Sequence, residues 1–418
     1  MRGATIMKRA LLKQMRKEWR DNVWLIIELT VVCIAIWVIS AILYAYIEGL
    51  FKPRGFDPDW VYSLSNNSLS NYSADYVEGL DNDAYYADFQ TIINNLRNNP
   101  NVEEVAVHWN GLPYNYNHTG QSIFLADELD TIGYYGNTRT VTPEYIKVLG
   151  IKSKTGATDE QLIEMLRKGE VLISDDNNLL EDQDVDVYTL KGKKVILNRD
   201  STNVMRVGDI IQNIRRTDYE TPWGGTILLP MNPKTIWGQV AVRVKPGKGK
   251  AFEEDFRNDV SLRKLRNVFL SDLKSLEDIR EGCQRGVEVN VRLYEVMIGF
   301  LLMTVFLGLL GTFWFRMQQR VSEIAIRKVA GANKGQVFRR ILTEGMILLG
   351  IAVILASAIV WPIALTDSDI TRMGFKPHHI ISFELVTVAL MAIGIILSLW
   401  WPARKAMAIE PAIAIKDE

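Results

Sequence analysis

Histidines, cysteines and carboxylates are the first places to look for chemistry in this 418-residue sequence, which holds 4 His and 2 Cys. His108 and His118 stand ten residues apart, a separation that matches no usual metal-ligand spacing. His378 and His379 are adjacent, and neighbours on a helix cannot both face one ion. Cys33 and Cys283 are too few for a disulfide framework or a structural zinc site. No G-x-S-x-G or H-E-x-x-H run is present. Pro246-Gly247-Lys248-Gly249-Lys250 lacks the spacing of a phosphate-binding loop. The reading therefore assigns no catalytic, cofactor-binding or metal-ligating residue, and an enzyme is the weakest class. If ATP is used, another chain binds it.

Two features remain. Glu28 is one charge inside a long apolar run, and an intramembrane carboxylate costs about 3 kcal/mol at the bilayer centre, which marks it as a functional candidate. It also lies near the start of that run, where snorkelling to the interface is the plainer reading. The second feature is the run from Arg316 to Ala332. Arg320, Glu323 and Arg327 are spaced three and four apart, so a helix there supports itself through ion pairs of about 0.3–0.5 kcal/mol each. Gly331 is a good helix stop. Ile324, Ile326 and Val329 are too apolar for a purely solvated loop. A short helix of this kind suits docking into a groove on a soluble partner; the alternative is an ordinary basic loop that only sets topology.

The elements around these residues follow from hydropathy. The chain is 48% hydrophobic and 23% charged with net charge −1, which excludes a disordered chain and a strongly basic nucleic-acid binder. A membrane-spanning helix needs about 20 mostly apolar residues. Residues 23–47, 296–315, 341–365 and 385–401 qualify, with Trp24, Tyr44, Tyr46, Trp314, Trp361, Trp400 and Trp401 near their ends, where amphipathic rings favour the interface. Glu344, at a loop–span junction, is expected to face the interface. Lys and Arg crowd residues 2–20, 316–340 and 404–405, so the positive-inside rule places both termini and the 316–340 loop in the cytoplasm. Residues 6–20 read as a basic amphipathic helix lying on the inner leaflet, in contact with membrane lipids. The first span is read as a retained anchor, too long for a signal-peptide core.

The roughly 245 residues between the first two spans must then lie outside and fold on their own. Asn, Asp, Tyr and Ser dominate 57–86, which reads as irregular or edge structure. Two β–α–β patterns follow: helix 85–98 with strand 102–109, and strand 239–245, helix 250–266, strand 267–271. The stretch between them is β-rich. The fold class is thus a membrane α-helical protein with four transmembrane helices plus a large extracytoplasmic α+β domain, in which a discontinuous mixed subdomain carries an inserted β-rich one. Three N-x-[ST] sequons at Asn66, Asn71 and Asn117 carry little weight in so Asn-rich a stretch.

The pattern R-x-x-E-I-x-I-R-K-x-x-G-A at 320–332, followed by Ile341-Leu342-Thr343-Glu344 entering a span, resembles the FtsX-like permease signature of ABC transporters. The ending Trp401-Pro402-Ala403-Arg404-Lys405-Ala406, with Pro411 later, is similar to that family's ending. Thr140-Val141-Thr142-Pro143-Glu144-Tyr145 through Gly150, and Gly169 through Ser174, resemble the periplasmic core domain of MacB-type permeases. The ATPase domain that MacB carries at its N-terminus is missing here, so the chain looks like a separate permease subunit.

The resemblance implies an order of parts: a cytoplasmic helix at 1–22, spans at 23–47, 295–315, 341–365 and 383–401, a periplasmic core domain at 48–294 with its β-rich insertion at 137–235, a coupling loop at 316–340, a short external loop at 366–382 and a tail at 402–418. Arg320, Glu323, Ile324, Ile326, Arg327, Lys328 and Gly331 would contact a separate ABC ATPase subunit that binds Mg-ATP. The chain would pair with itself or with a sister permease in a bacterial inner membrane and drive its periplasmic domain mechanically, with a periplasmic adaptor and outer-membrane duct as further partners. Efflux of a drug, toxin or peptide is the leading reading. Lol-type lipoprotein release, FtsX-type activation of a cell-wall hydrolase and a membrane receptor with an external ligand domain are the alternatives.

Overall fold

A computed structural model of the protein describes residues 19–115, 117, 119–175, 186–198, 200, 202–219, 225–232, 234–319, 324–326, 329, 331, 333–366 and 377–408. The chain divides into two units: Met1–Ile47 with Val289–Glu418, and Glu48–Glu288. The basic helix expected at 6–20 and most of the 366–382 loop fall outside the described residues.

The first unit is built from the four apolar runs. They form helices α1 (Trp19–Phe51), α6 (Leu276–Gln319), α7 (Lys334–Thr366) and α8 (Pro377–Ala408). Each contains a stretch long and apolar enough to cross a membrane. Leu25, Leu29, Cys33 and Ile36 of α1 pack with Val305, Leu309 and Phe313 of α6 and with Leu348, Ala352, Met391 and Ile395 of α7 and α8. Gly345 lets α7 and α8 approach, since a Cβ there would stand 2.8 Å from Leu399 Cδ1; small residues serve helix packing in lipid in this way. Glu344 is buried in the bundle. His378 and His379 lie in the first turn of α8, not in a loop.

The second unit is organised by an 11-stranded sheet in the order β10-β11-β1-β9-β2-β4-β3-β6-β7-β5-β8. Its strands are β1 (Val61–Ser68), β2 (Val102–Trp109), β3 (Gly120–Leu125), β4 (Glu128–Val141), β5 (Val171–Ser174), β6 (Lys194–Leu197), β7 (Val204–Ile211), β8 (Gly225–Pro230), β9 (Gln239–Val244), β10 (Lys264–Leu265) and β11 (Val268–Ser275). β1, expected as irregular or edge structure, is an interior strand with β9 on one side and β11 on the other. Its Ser and Asn side chains hid it from a hydropathy reading, but the ladder needs only main-chain donors and acceptors.

β1, α2 (Asn82–Asn98) and β2 form one crossover; β9, α5 (Gly249–Asn258) and β11 form the other. Because β9 is antiparallel to both β1 and β2, and β1 to both β9 and β11, the two crossovers interlock. Asp81 starts α2 by accepting from the Ala84 N–H at 2.8 Å, as an N-cap should. Phe89, Ile92, Ile93 and Leu96 then turn one face of α2 onto Val105, Val242 and Phe252. α5 ends at Asn258, short of the expected 266. Asp259 leaves the helix and its carboxylate accepts from Ser261 N–H at 2.9 Å, opening a 3₁₀ turn.

β4 also pairs with β8 in parallel, so β4, β3, β6, β7, β5 and β8 close into a six-stranded ring around Ile123, Tyr134, Val171, Ile173, Val195, Val207, Ile210 and Ile227. Closure removes free sheet edges. The ring takes in chain from Gly120 onward and so reaches upstream of the 137–235 boundary. Between ring and interlocked strands lie α3 (Tyr145–Leu149) and α4 (Asp159–Arg167). α3 ends on Gly150 in the left-handed region, φ 61°, and α4 begins with a Thr158/Gln161 capping box. Leu149, Leu162 and Leu166 share a core with Ala106, Ala241, Leu172 and Leu228.

Candidate functional site

The segment singled out by spacing is only partly described. Arg320, Glu323, Arg327 and Lys328 lie outside the described residues. Ile324, Ala325, Ile326 and Val329 are helical, and Gly331 turns the chain at φ 95°, the conformation that glycine alone adopts freely. Asn333 then starts α7: its Oδ1 accepts from Gln336 N–H at 2.8 Å while Gln336 Oε1 accepts from Asn333 N–H at 3.1 Å. The two isoleucines part company. Ile324 joins the bundle core, whereas Ile326 is 60% exposed and Val329 66% exposed. Ile324 thus fixes the segment to the spans, and Ile326 with Val329 forms the outward apolar surface.

Aromatic and basic side chains meet at the ends of α6 and α8. Trp314 and Trp401 stack at 4.6 Å, and Lys405 Nζ lies 4.1 Å from the Trp314 ring centre. Arg404 stands over Trp400 at 5.8 Å. A cation on an indole face is held by the ring quadrupole, so the Trp401–Lys405 run ties α8 to the end of α6.

Glu28, Glu344 and Glu384 are carboxylates on the long helices of the first unit. Glu28 is half-buried against α6, with Oε1 2.8 Å from where a Cβ on Gly308 would be. Glu344 of α7 is buried. Glu384 was missed because the apolar run was read as starting after it. It accepts from Ser357 Oγ at 2.9 Å and Trp361 Nε1 at 3.4 Å, joining α8 to α7.

Among the buried polar groups of the β-rich unit, Asp209 and Asp218 each gather several partners that no motif announced. Asp209 of β7 is fully buried and accepts from Ser153 Oγ at 2.6 Å, from Thr155 Oγ1 and from Lys191 Nζ at 2.6 Å. Burial would raise its carboxyl; the bonds from Lys191, Ser153 and Thr155 outweigh that and hold it below the usual range. Both hydroxyls are spent on Asp209, so the cluster offers no free nucleophile. Beside it runs a groove of about 750 Å³ lined by Thr155, Met165, Lys168, Glu170, Lys191 and Arg206. Among the described residues no group of His, Cys, Asp and Glu could hold a metal.

The second centre is Asp218, whose side chain is 4% exposed. Tyr114 OH donates to it at 2.9 Å, Arg54 Nε at 3.1 Å and Arg280 Nε at 2.7 Å. Burial alone would raise this carboxyl, but Gln284, Arg280 and Tyr114 and the Arg280 charge hold it low. Sequence gave no signal for it, because its partners lie 62 to 164 residues away.

Residues 295–411 match the model of the FtsX-like permease C-terminal family. Among solved structures, the extracellular domain of the noncanonical ABC-type transporter YknZ from Gram-positive bacteria is similar at 10% identity, covering 51% of this chain and 100% of that one, with a TM-score of 0.29. No curated protein matches. Residues 295–411, which hold three of the four candidate spans, are thus similar to the C-terminal domain of FtsX-like permeases.

Proposed function

We propose that the chain is the permease subunit of a MacB-like ABC transporter, in which a separate ATPase subunit docks on 320–331 and its closure moves the β-rich unit mechanically. The observation that carries the reading is α6. It runs unbroken for 44 residues, roughly 66 Å at about 1.5 Å per residue, against a hydrocarbon core of about 30 Å. It follows the docking segment's span without a break as far as β11, so an axial push on one end is delivered at the other. The matched family model, which contains the segment, and the outward Ile326 and Val329 support a partner at that position.

The setting in this reading is a bacterial inner membrane, with both termini cytoplasmic and residues 48–294 in the periplasm. Val289, Leu293, Val296, Phe300, Met303 and Leu307 of α6 are exposed at alternating steps of four and three, the spacing of a helix-pairing stripe. A second copy or a sister permease would cover it. Cargo efflux through an adaptor and outer-membrane duct is the form favoured here.

Two measurements test this. Purification in mild detergent with a non-hydrolysable ATP analogue should bring an ABC ATPase along; an adaptor beside it supports efflux, a lipoprotein supports lipoprotein release. Replacing both Glu323 and Arg327 by Ala should abolish stimulation of that ATPase by the permease while the chain still inserts and folds. ATPase stimulation unchanged in this variant would remove 320–331 as the docking site.

A further inference from the structure

We infer that the loop 213–219 is a clasp within Glu48–Glu288 that grips the last turn of α1 and the first turns of α6, with Asp218 as its central positioning residue; this rests on the mechanical reading above. Every contact involved lies within Glu48–Glu288.

The first helix is gripped by its end. Arg215, 8% exposed, donates to the carbonyls of Gly49 and, at 3.4 Å, of Lys52. The last carbonyls of a helix have no partner within it, and a cation is favoured there by the helix dipole. Arg215 also donates to the Asp218 carbonyl at 3.0 Å, so the loop is closed on itself while it holds α1. Two glycines permit the approach. A Cβ on Gly49 would stand 2.9 Å from the Asp218 carbonyl oxygen, and one on Gly55 would stand 1.8 Å from that of Asn213. The main chain adds Arg215 N–H to the Arg54 carbonyl at 3.1 Å.

The second helix is gripped by its start. Ser275 Oγ accepts from Asp278 N–H at 3.1 Å, opening α6 where β11 ends. One turn on, Arg280 reaches Asp218 at 2.7 Å and Glu277 at 2.7 Å. Leu276 and Cys283 pack beside it against Leu112, Tyr114 and Ile214. A single carboxylate therefore receives Arg54, three residues beyond α1, and Arg280, inside α6.

Apolar packing alone would suffice for adhesion. A buried ion pair adds little net stability over apolar residues of the same size, while loss of one partner leaves a buried charge uncompensated. What the pair provides is position: Arg–carboxylate geometry sets Arg54 and Arg280 on one carboxylate, whereas apolar faces permit sliding. A joint meant to pass displacement from two helices into one rigid sheet needs that property.

The test is hydrogen exchange on the full chain with its co-purifying ATPase in lipid nanodiscs, with and without a non-hydrolysable ATP analogue. In the unaltered chain, nucleotide should change exchange in residues 289–319 and also in β1, β2 and β9. In Arg280→Gln and in Asp218→Asn the change at 289–319 should persist and the change in the strands should be lost; Arg280→Lys should restore part of it. Strand amides that still respond in both variants overturn the clasp and leave the mechanical reading standing. No nucleotide response in the strands of the unaltered chain overturns the mechanical reading, and the clasp with it. The Arg280 side chain is 26% exposed against 4% for Asp218, so Arg280→Gln keeps the test open should Asp218→Asn fail to fold.

Discussion

Acidification is expected to loosen the β-rich unit well above the pH at which its carboxylates titrate, and His108 is the cause. It is fully buried in β2. Its Nδ1 accepts from Gly111 N–H at 3.1 Å, so the neutral ring carries its proton on Nε2, which has no partner among the described residues. Burial first, and then the charge of Arg139, push its pKa from 6.5 down to about 3. Arg139 is itself buried and donates to the carbonyls of Gly111 and, at 2.9 Å, Ile214. A second positive charge beside it would be unneutralised.

The sign follows from proton binding. Below pH 6.5 the unfolded chain takes up a proton that the folded one refuses, so stability falls as pH falls, by up to about 1.4 kcal/mol per pH unit, until the folded ring titrates near pH 3. Asp209 and Asp218 also lose their contribution in acid, but their folded carboxyls titrate below the ordinary 3.8, so the window from 6 down to about 4.5 belongs largely to His108. His108→Asn keeps an acceptor for Gly111 and removes the titration. Opening free energies of β2 and β9 amides, measured by hydrogen exchange on the full chain across that range, should fall in the unaltered protein and stay nearly flat in His108→Asn. Equal slopes in the two would discard this account.

Gly55→Ala is expected to be the most damaging of the small substitutions, at about 3 kcal/mol. Gly55 has φ 77°, a conformation that costs other residues about 1–2 kcal/mol. Its missing Cβ would also lie 1.8 Å from Asn213 O and 2.6 Å from Asn213 C. These are main-chain atoms, so no rotamer change relieves the overlap, and forced backbone shifts cost about 1–3 kcal/mol more. Gly79 is the control: φ is 76° and nothing lies within 4 Å of its Cβ position. Gly79→Ala should therefore cost only the conformational part, about 1–2 kcal/mol. Thermal unfolding of the two variants beside the parent separates the terms. If Gly55→Ala unfolds no earlier than Gly79→Ala, the close approach of 213–214 to 55 is wrong.

Legibility differed from part to part for physical reasons. The spans were readable because lipid imposes one requirement on some 20 consecutive residues, and that requirement is written in composition alone. Helix α2 was readable because its apolar residues repeat at the helical period. β1 was not, since a strand lined with Ser and Asn carries no hydropathy signal and is held by ladders to β9 and β11, the latter some 200 residues away in sequence. The end of α5 was overrun because Val260 and Leu262 continue an apolar pattern, while the Asp259 cap that stops the helix is a local bond the pattern does not contain. Ile324 and Ile326 look alike in sequence; only the position of the bundle decides that one is core and the other surface.

Sequence by itself determined what depends on neighbours along the chain: four apolar helices, the stop at Gly331, and the motif-bearing segment that is similar to the permease family. Tertiary structure alone decided the closed ring, which exists because β4 meets β8 almost 90 residues later, and the Asp218 joint, which brings Arg54, Tyr114 and Arg280 to one buried carboxylate. Such contacts join residues that share no local pattern. In the ring the contact is main-chain pairing; at Asp218 the arginines offset the cost of taking a carboxylate out of water, and nothing in the spacing of the sequence records either placement.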